Sequence, residues 1–119
     1  IDLEVAIKIP NGEEKIVSRS NFKNMYWNMN QQLAHHTING CDIRSGDLLA
    51  SGTISGDQKE SYGSMLEISW KGTQPITMPD GSTRKFINDG DTVIMRGTAQ
   101  NKDIKIGFGE VSTLVLPAK

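Results

Sequence analysis

Cysteine is almost absent: Cys41 is the only one in 119 residues. A lone thiol excludes an internal disulfide and sets a reducing compartment as the expectation. It also argues against a thiolate zinc cluster, which needs several ligands at short spacing. Charge of one sign is lacking too, since 13 Lys and Arg stand against 14 Asp and Glu for a net charge of −1, with no block of like charge. The basic footprint of a nucleic-acid-binding protein is therefore missing, and no nucleic-acid partner is expected. No apolar run approaches the length of a membrane-spanning helix, so no membrane partner is expected either. An initiator methionine is also missing. The chain opens on Ile1 inside a strand pattern, which suggests a segment of a longer protein.

What is present suits a globular fold with a modest core: 36% hydrophobic and 23% charged residues, too apolar for a disordered chain. Residues 1–9, IDLEVAIKI, place Ile1, Leu3, Val5, Ile7 and Ile9 on one face and Asp2, Glu4 and Lys8 on the other, the alternation of a half-buried strand. Pro10-Asn11-Gly12 turns the chain into a shorter strand over residues 13–17. Phe22, Met25, Tyr26, Met29, Leu33 and His36 recur at helical spacing, which predicts one long helix near residues 20–38 with a buried stripe. Ser20 is its expected amino cap, and Asn39-Gly40 its left-handed exit. From residue 76 onward the chain reads as short strands separated by turns at 79–82, 88–91 and 100–103. Separate strands are expected at 104–108 and 111–116. The fold class is α+β, mostly antiparallel β.

The segment from Gly46 to Gly72 has the look of a site. Leu48-Leu49-Ala50 reads as a short strand, Ser51 to Gly56 as a small-residue loop, and Ser64 to Trp70 as a second strand. Glycines 52, 56 and 63 permit sharp turns or close approach. Thr53 and Ser55 offer hydroxyls, and alternation would put Leu66, Ile68 and Trp70 on one face and Met65, Glu67 and Ser69 on the other. Each feature also has a plain structural explanation. A strand glutamate often faces solvent, and a loop threonine is ordinary.

Other candidates fare less well. His35 and His36 point about 100° apart on a helix and lack the i, i+4 spacing of a zinc protease motif. Asp89 and Asp91 lack the further oxygen ligands of a calcium loop and suit a turn better. Gly52-Thr53-Ile54-Ser55-Gly56 places its serine one position too late for a nucleophile elbow, and no phosphate-loop pattern exists. Gly107-Phe108-Gly109 fits a bulge or close strand crossing better than a ligand brace.

Several motifs together nonetheless carry a resemblance. Ser18-Arg19-Ser20-Asn21-Phe22-Lys23, Met25-Tyr26-Trp27, Gln31-Gln32-Leu33 and His35-His36 are followed by Gly46-Asp47-Leu48-Leu49-Ala50-Ser51-Gly52-Thr53-Ile54-Ser55-Gly56. Gly63-Ser64-Met65-Leu66-Glu67, Ser69-Trp70-Lys71-Gly72, Ile106-Gly107-Phe108-Gly109 and Val115-Leu116-Pro117-Ala118 continue it. From Ser18 to its end the chain resembles the fumarylacetoacetate hydrolase family. Ser45 departs from the proline usual before the Gly-Asp pair. The loop pattern by itself would indicate only the wider superfamily, which includes acylpyruvate hydrolases and decarboxylases. The helix motif points to the eukaryotic-type hydrolase.

The resemblance implies a β-sandwich roll, of which residues 1–119 would be the carboxyl-terminal part of the catalytic domain, without its upstream half. It implies hydrolysis of 4-fumarylacetoacetate to fumarate and acetoacetate, in tyrosine and phenylalanine breakdown, by a cytosolic homodimer using Mg²⁺ or Ca²⁺. Within this chain it assigns two roles. Glu67 would orient and charge-balance the catalytic histidine, and Thr53 would contact the substrate. The histidine, the metal ligands and the oxyanion-stabilising lysine and glutamine would lie upstream, leaving this segment inactive alone. The rival expectations are an acylpyruvate hydrolase or decarboxylase of the same superfamily and a non-catalytic interaction module that keeps the fold.

Overall fold

A computed structural model describes residues 1–119. The fold is α+β: four strands form one antiparallel sheet in the order β2-β1-β5-β6, and two more form a separate small ribbon, β3-β4. β1 (Asp2–Lys8) turns at Pro10-Asn11-Gly12 into β2 (Glu14–Asn21), as expected of that turn. Asn11 takes a left-handed φ of 57°, and the Gly12 N–H donates to the Ile9 carbonyl at 3.1 Å. β3 (Ile76–Thr77) and β4 (Thr83–Arg84) flank the Pro79–Ser82 turn, and β5 (Thr92–Gln100) follows the 88–91 turn. β6 (Lys105–Leu114) is one continuous strand where two were expected. The expected break is a bulge. Arg96 pairs with Glu110 and Thr98 with Gly107, so two β6 residues oppose Gly97, and Gly109 absorbs the kink at φ 79°.

Alternation along β1 sorts the sheet. Ile7 and Ile9 are buried on one face, where Met78 from the ribbon turn packs on them together with Val17 and Met65. On the opposite face Ala6 sits directly across from Ile94, both buried, while Glu4 begins a row of charge. Arg19, Glu4, Arg96 and Glu110 lie in register across all four strands, with Arg19–Glu4 at 3.2 Å, Arg96–Glu4 at 3.2 Å and Arg96–Glu110 at 2.8 Å. Glu14 also reaches Arg96 at 2.8 Å. Opposite charges placed directly across strands lock register as well as polarity.

Four expectations for the helical and loop segments are corrected. The helix α1 spans only Met29–Thr37, and Asn28, not Ser20, caps it. Ser20 instead pairs with Leu3, and Asn21 with Asp2, because β2 stays on the sheet to its end. Asn28 and Gln31 form a reciprocal capping box with both bonds at 2.9 Å. No residue of α1 is buried, so the stripe from Phe22 to His36 is not a core stripe, and His36 is exposed. Gly40 does provide the left-handed exit, at φ 86°. Leu48-Leu49-Ala50 forms no strand, since no partner strand meets its backbone, and Leu48 is 94% exposed. Ser64 to Trp70 is not a strand either. Met65–Ile68 is a single helical turn, α2.

Candidate active site

The chain from Ser51 to Gly56 and the turn α2 are bound together through backbone and hydroxyls. Gly52 adopts a φ of 78° in open space, a conformation that disfavours any side chain. Gly56 N–H donates to the Ser61 carbonyl at 2.9 Å, closing the loop on the segment leading into α2. Gly63 lies against Thr53: a Cβ there would stand 2.6 Å from Thr53 Cγ2 and 2.7 Å from the Ile54 carbonyl oxygen. Only glycine fits between them. Thr53 is thereby held at the loop's exposed edge.

α2 begins with a capping box. Ser64 Oγ accepts from the Glu67 N–H at 3.3 Å, and the Glu67 carboxylate accepts from the Ser64 N–H at 3.2 Å. Glu67 Oε2 also accepts from the hydroxyls of Ser64 and Ser55, each at 2.8 Å. Ser55 in turn accepts from the Gly63 N–H at 3.0 Å. One carboxylate oxygen therefore has three donors, and no side chain donates to Oε1. The Ser64 hydroxyl and then that of Ser55 hold the Glu67 carboxyl below the usual carboxylate range, outweighing the opposite pull of desolvation. Glu67 was expected on a strand. Its rigid placement comes instead from position N3 of a helical turn, because the Ser64 cap starts a helix there and no partner strand meets the alternating run. The pattern Ser64-x-x-Glu67 was the signal that could have revealed it, and with it the role of Ser64; Ser55, 12 residues distant, has no such local signal.

Thr53 and Glu67 both line a groove of about 1460 Å³. Its other wall comes from the segment around α1, including Phe22, Trp27, Leu33 and His36. The expected helix motif and glycine loop thus face one another across a mostly apolar cleft, the usual setting for a small-molecule site. His35 and His36 line the same groove, but neither makes a hydrogen bond to Glu67. Asp91, weighed as a cation ligand, is fully buried and gives both oxygens to Arg84 at 2.9 and 3.0 Å. No group of three or more His, Cys, Asp or Glu side chains converges in the chain. The groove offers Glu67 as its sole carboxylate, with one oxygen saturated by donors, so these residues do not by themselves make a divalent-cation site.

Residues 1–115 match the family described as fumarylacetoacetate hydrolase C-terminal. Over 102 residues the chain is 60% identical to the fumarylacetoacetase of Homo sapiens, covering 86% of this chain and 24% of that protein. It is 55% identical to the fumarylacetoacetase of Bos taurus over 119 residues, 99% of this chain and 28% of that protein. Identity to the Caenorhabditis elegans fumarylacetoacetase is 50%, over 99% of this chain and 29% of that protein. The chain spans about a quarter of the length of these relatives.

Proposed function

The chain belongs to the fumarylacetoacetate hydrolase family, and on that premise we propose that it is the carboxyl-terminal part of an enzyme cleaving 4-fumarylacetoacetate into fumarate and acetoacetate. The observation that carries the proposal is the half-buried Glu67, with one carboxylate oxygen held by three donors, sharing a groove with Thr53. Hydrolysis of a β-diketone adds a water oxygen to one carbonyl carbon. The bond from that carbon to the intervening CH₂ then breaks, and the released enolate takes up a proton. The water must lose a proton to a base as it attacks. Glu67 suits the role of orienting such a base: its Oε1 can accept an imidazole N–H, fix the tautomer and stabilise the cation that forms. Thr53, on the groove's exposed edge, can hydrogen-bond a carbonyl or carboxylate oxygen of the substrate.

The histidine, the oxyanion-stabilising lysine and glutamine, and the ligands for Mg²⁺ or Ca²⁺ are proposed to lie in the part of the protein outside this chain. The full protein is proposed to work in the cytosol as a homodimer in tyrosine and phenylalanine breakdown, and the 119-residue chain alone to be inactive.

The test is to supply the full-length protein with 4-fumarylacetoacetate and, separately, with an acylpyruvate, and to identify the products. Fumarate and acetoacetate as the preferred products are expected. Preferential cleavage or decarboxylation of the acylpyruvate would move the protein elsewhere in the superfamily. Turnover of neither would favour an interaction module.

A further inference from the structure

Glu67 is bonded from two directions of different character. The Ser64 contacts are local, three residues away, and are what a capping box makes at the start of a helix. Ser55 is 12 residues distant, on the loop that carries Thr53, and its contact with Glu67 caps nothing. The direction of its proton is settled by its neighbours. Gly63 N–H donates to Ser55 Oγ at 3.0 Å, so the hydroxyl's own hydrogen is directed to Glu67 Oε2 at 2.8 Å. No lysine or arginine helps hold this charge; hydroxyls and backbone N–H groups do it, Ser64 contributing most and Ser55 next. The other titratable groups lining the groove are Tyr26, His35 and His36, all on its far wall.

We infer that Ser55 is a positioning residue for Glu67, tying the substrate loop to the carboxylate and completing the saturation of Oε2 so that Oε1 is the oxygen left to take a proton donor. The inference rests on the proposed role of Glu67. A carboxylate with both oxygens free can rotate and share its charge between two partners. One pinned through Oε2 presents a single oxygen in a fixed direction, as groups orienting a catalytic or ligating histidine do. The bridge also couples Thr53 to Glu67, so that movement of the substrate loop is felt at the carboxylate.

The experiment compares full-length wild type with Ser55→Ala, Ser55→Thr and Ser55→Cys, each alone and combined with Glu67→Gln. Ser55→Ala is expected to lower kcat roughly 10- to 100-fold, the range for loss of a group that orients a catalytic side chain, with little change in KM. The acidic limb of its kcat–pH profile should move to higher pH, because a carboxylate with fewer donors is more basic and so raises the pKa of the imidazole it faces. Ser55→Thr, which keeps the hydroxyl, should recover most of the loss. In the Glu67→Gln background Ser55→Ala should cost nothing further in residual turnover. Equal losses in both backgrounds, or a lowered kcat with an unmoved acidic limb, would overturn the inference. If Glu67→Gln inactivates while Ser55→Ala does not, the inference fails and the reading of Glu67 stands. If Glu67→Gln is fully active, that reading fails first. Should Ser55→Ala not fold, Ser55→Cys keeps the side chain's bulk with a weaker donor and reads the same pH shift.

Discussion

Asp91 is buried with both oxygens on the Arg84 guanidinium, whereas Glu67 takes its hydrogen bonds from hydroxyls and backbone N–H groups. The difference separates a structural carboxylate from one with an oxygen to spare. Burial pushes the Asp91 carboxyl up, but Arg84 and the Asn88 N–H outweigh it and hold the group below its ordinary range. A depressed folded-state pKa contributes stability that is fully present above the unfolded value, about 3.9. That stability is lost as pH falls through the folded value. Resistance to thermal unfolding should therefore weaken on acidification below about pH 4. Asp91→Asn should cost about 3 kcal/mol at neutral pH, the scale of breaking a buried pair, and should flatten that acid dependence. An unchanged melting temperature at pH 7 would contradict the structural role. Composition alone could not separate Asp89 from Asp91, because what distinguishes them is a guanidinium seven residues away from Asp91 that the fold brings against it.

At the scale of elements, local turn chemistry and strand alternation were legible. Asn11-Gly12, the Pro79–Ser82 ribbon, β1 and β5 all form where their residues direct. The long helix was not, because its start is taken by the sheet: Ser20 and Asn21 pair with β1, a contact no local window contains, and Phe22–Asn24 make only a short 3-10 turn. The Asn28/Gln31 box then restarts the chain as a helix at Met29. α2 shows the opposite failure, a local signal overridden by an apparent period of two. Thr53 and Glu67 could be named from motif resemblance, but the Ser55 hydroxyl that holds Glu67 could not, since Ser55 meets it only through the loop's closure on Gly63. Two substitutions probe this element. Ser64→Ala should cost about 1 kcal/mol, the usual value of an amino cap, and should also lower kcat by freeing Glu67; full activity at reduced stability would make it a cap only. Gly63→Ala should displace Thr53, raising KM more than it lowers kcat. An unchanged KM would show that the loop yields without moving Thr53.

As a whole molecule the chain is a slab, 47 × 46 × 26 Å, with a radius of gyration of 16.5 Å, against about 13.5 Å for a compact domain of its length. Nine of its 119 residues are buried, and β6 is exposed along its entire length, including Phe108 and Val111. Unpaired strand edges and apolar faces of this extent seek partners. The isolated 119-residue chain should therefore bind a hydrophobic dye and associate with rising concentration; a dye-silent monomer would contradict this. The same openness is consistent with a groove that needs the rest of the protein to become a working site. The most direct test of Glu67 as the orienting carboxylate is Glu67→Gln in the full-length protein, with turnover of 4-fumarylacetoacetate and thermal stability measured side by side. Gln keeps the shape and removes the charge. If Glu67 orients the base, kcat should fall roughly 10²- to 10⁴-fold, the range for losing an oriented general base, with folding little changed. Wild-type turnover by the variant would contradict that role and return Glu67 to a helix-capping residue.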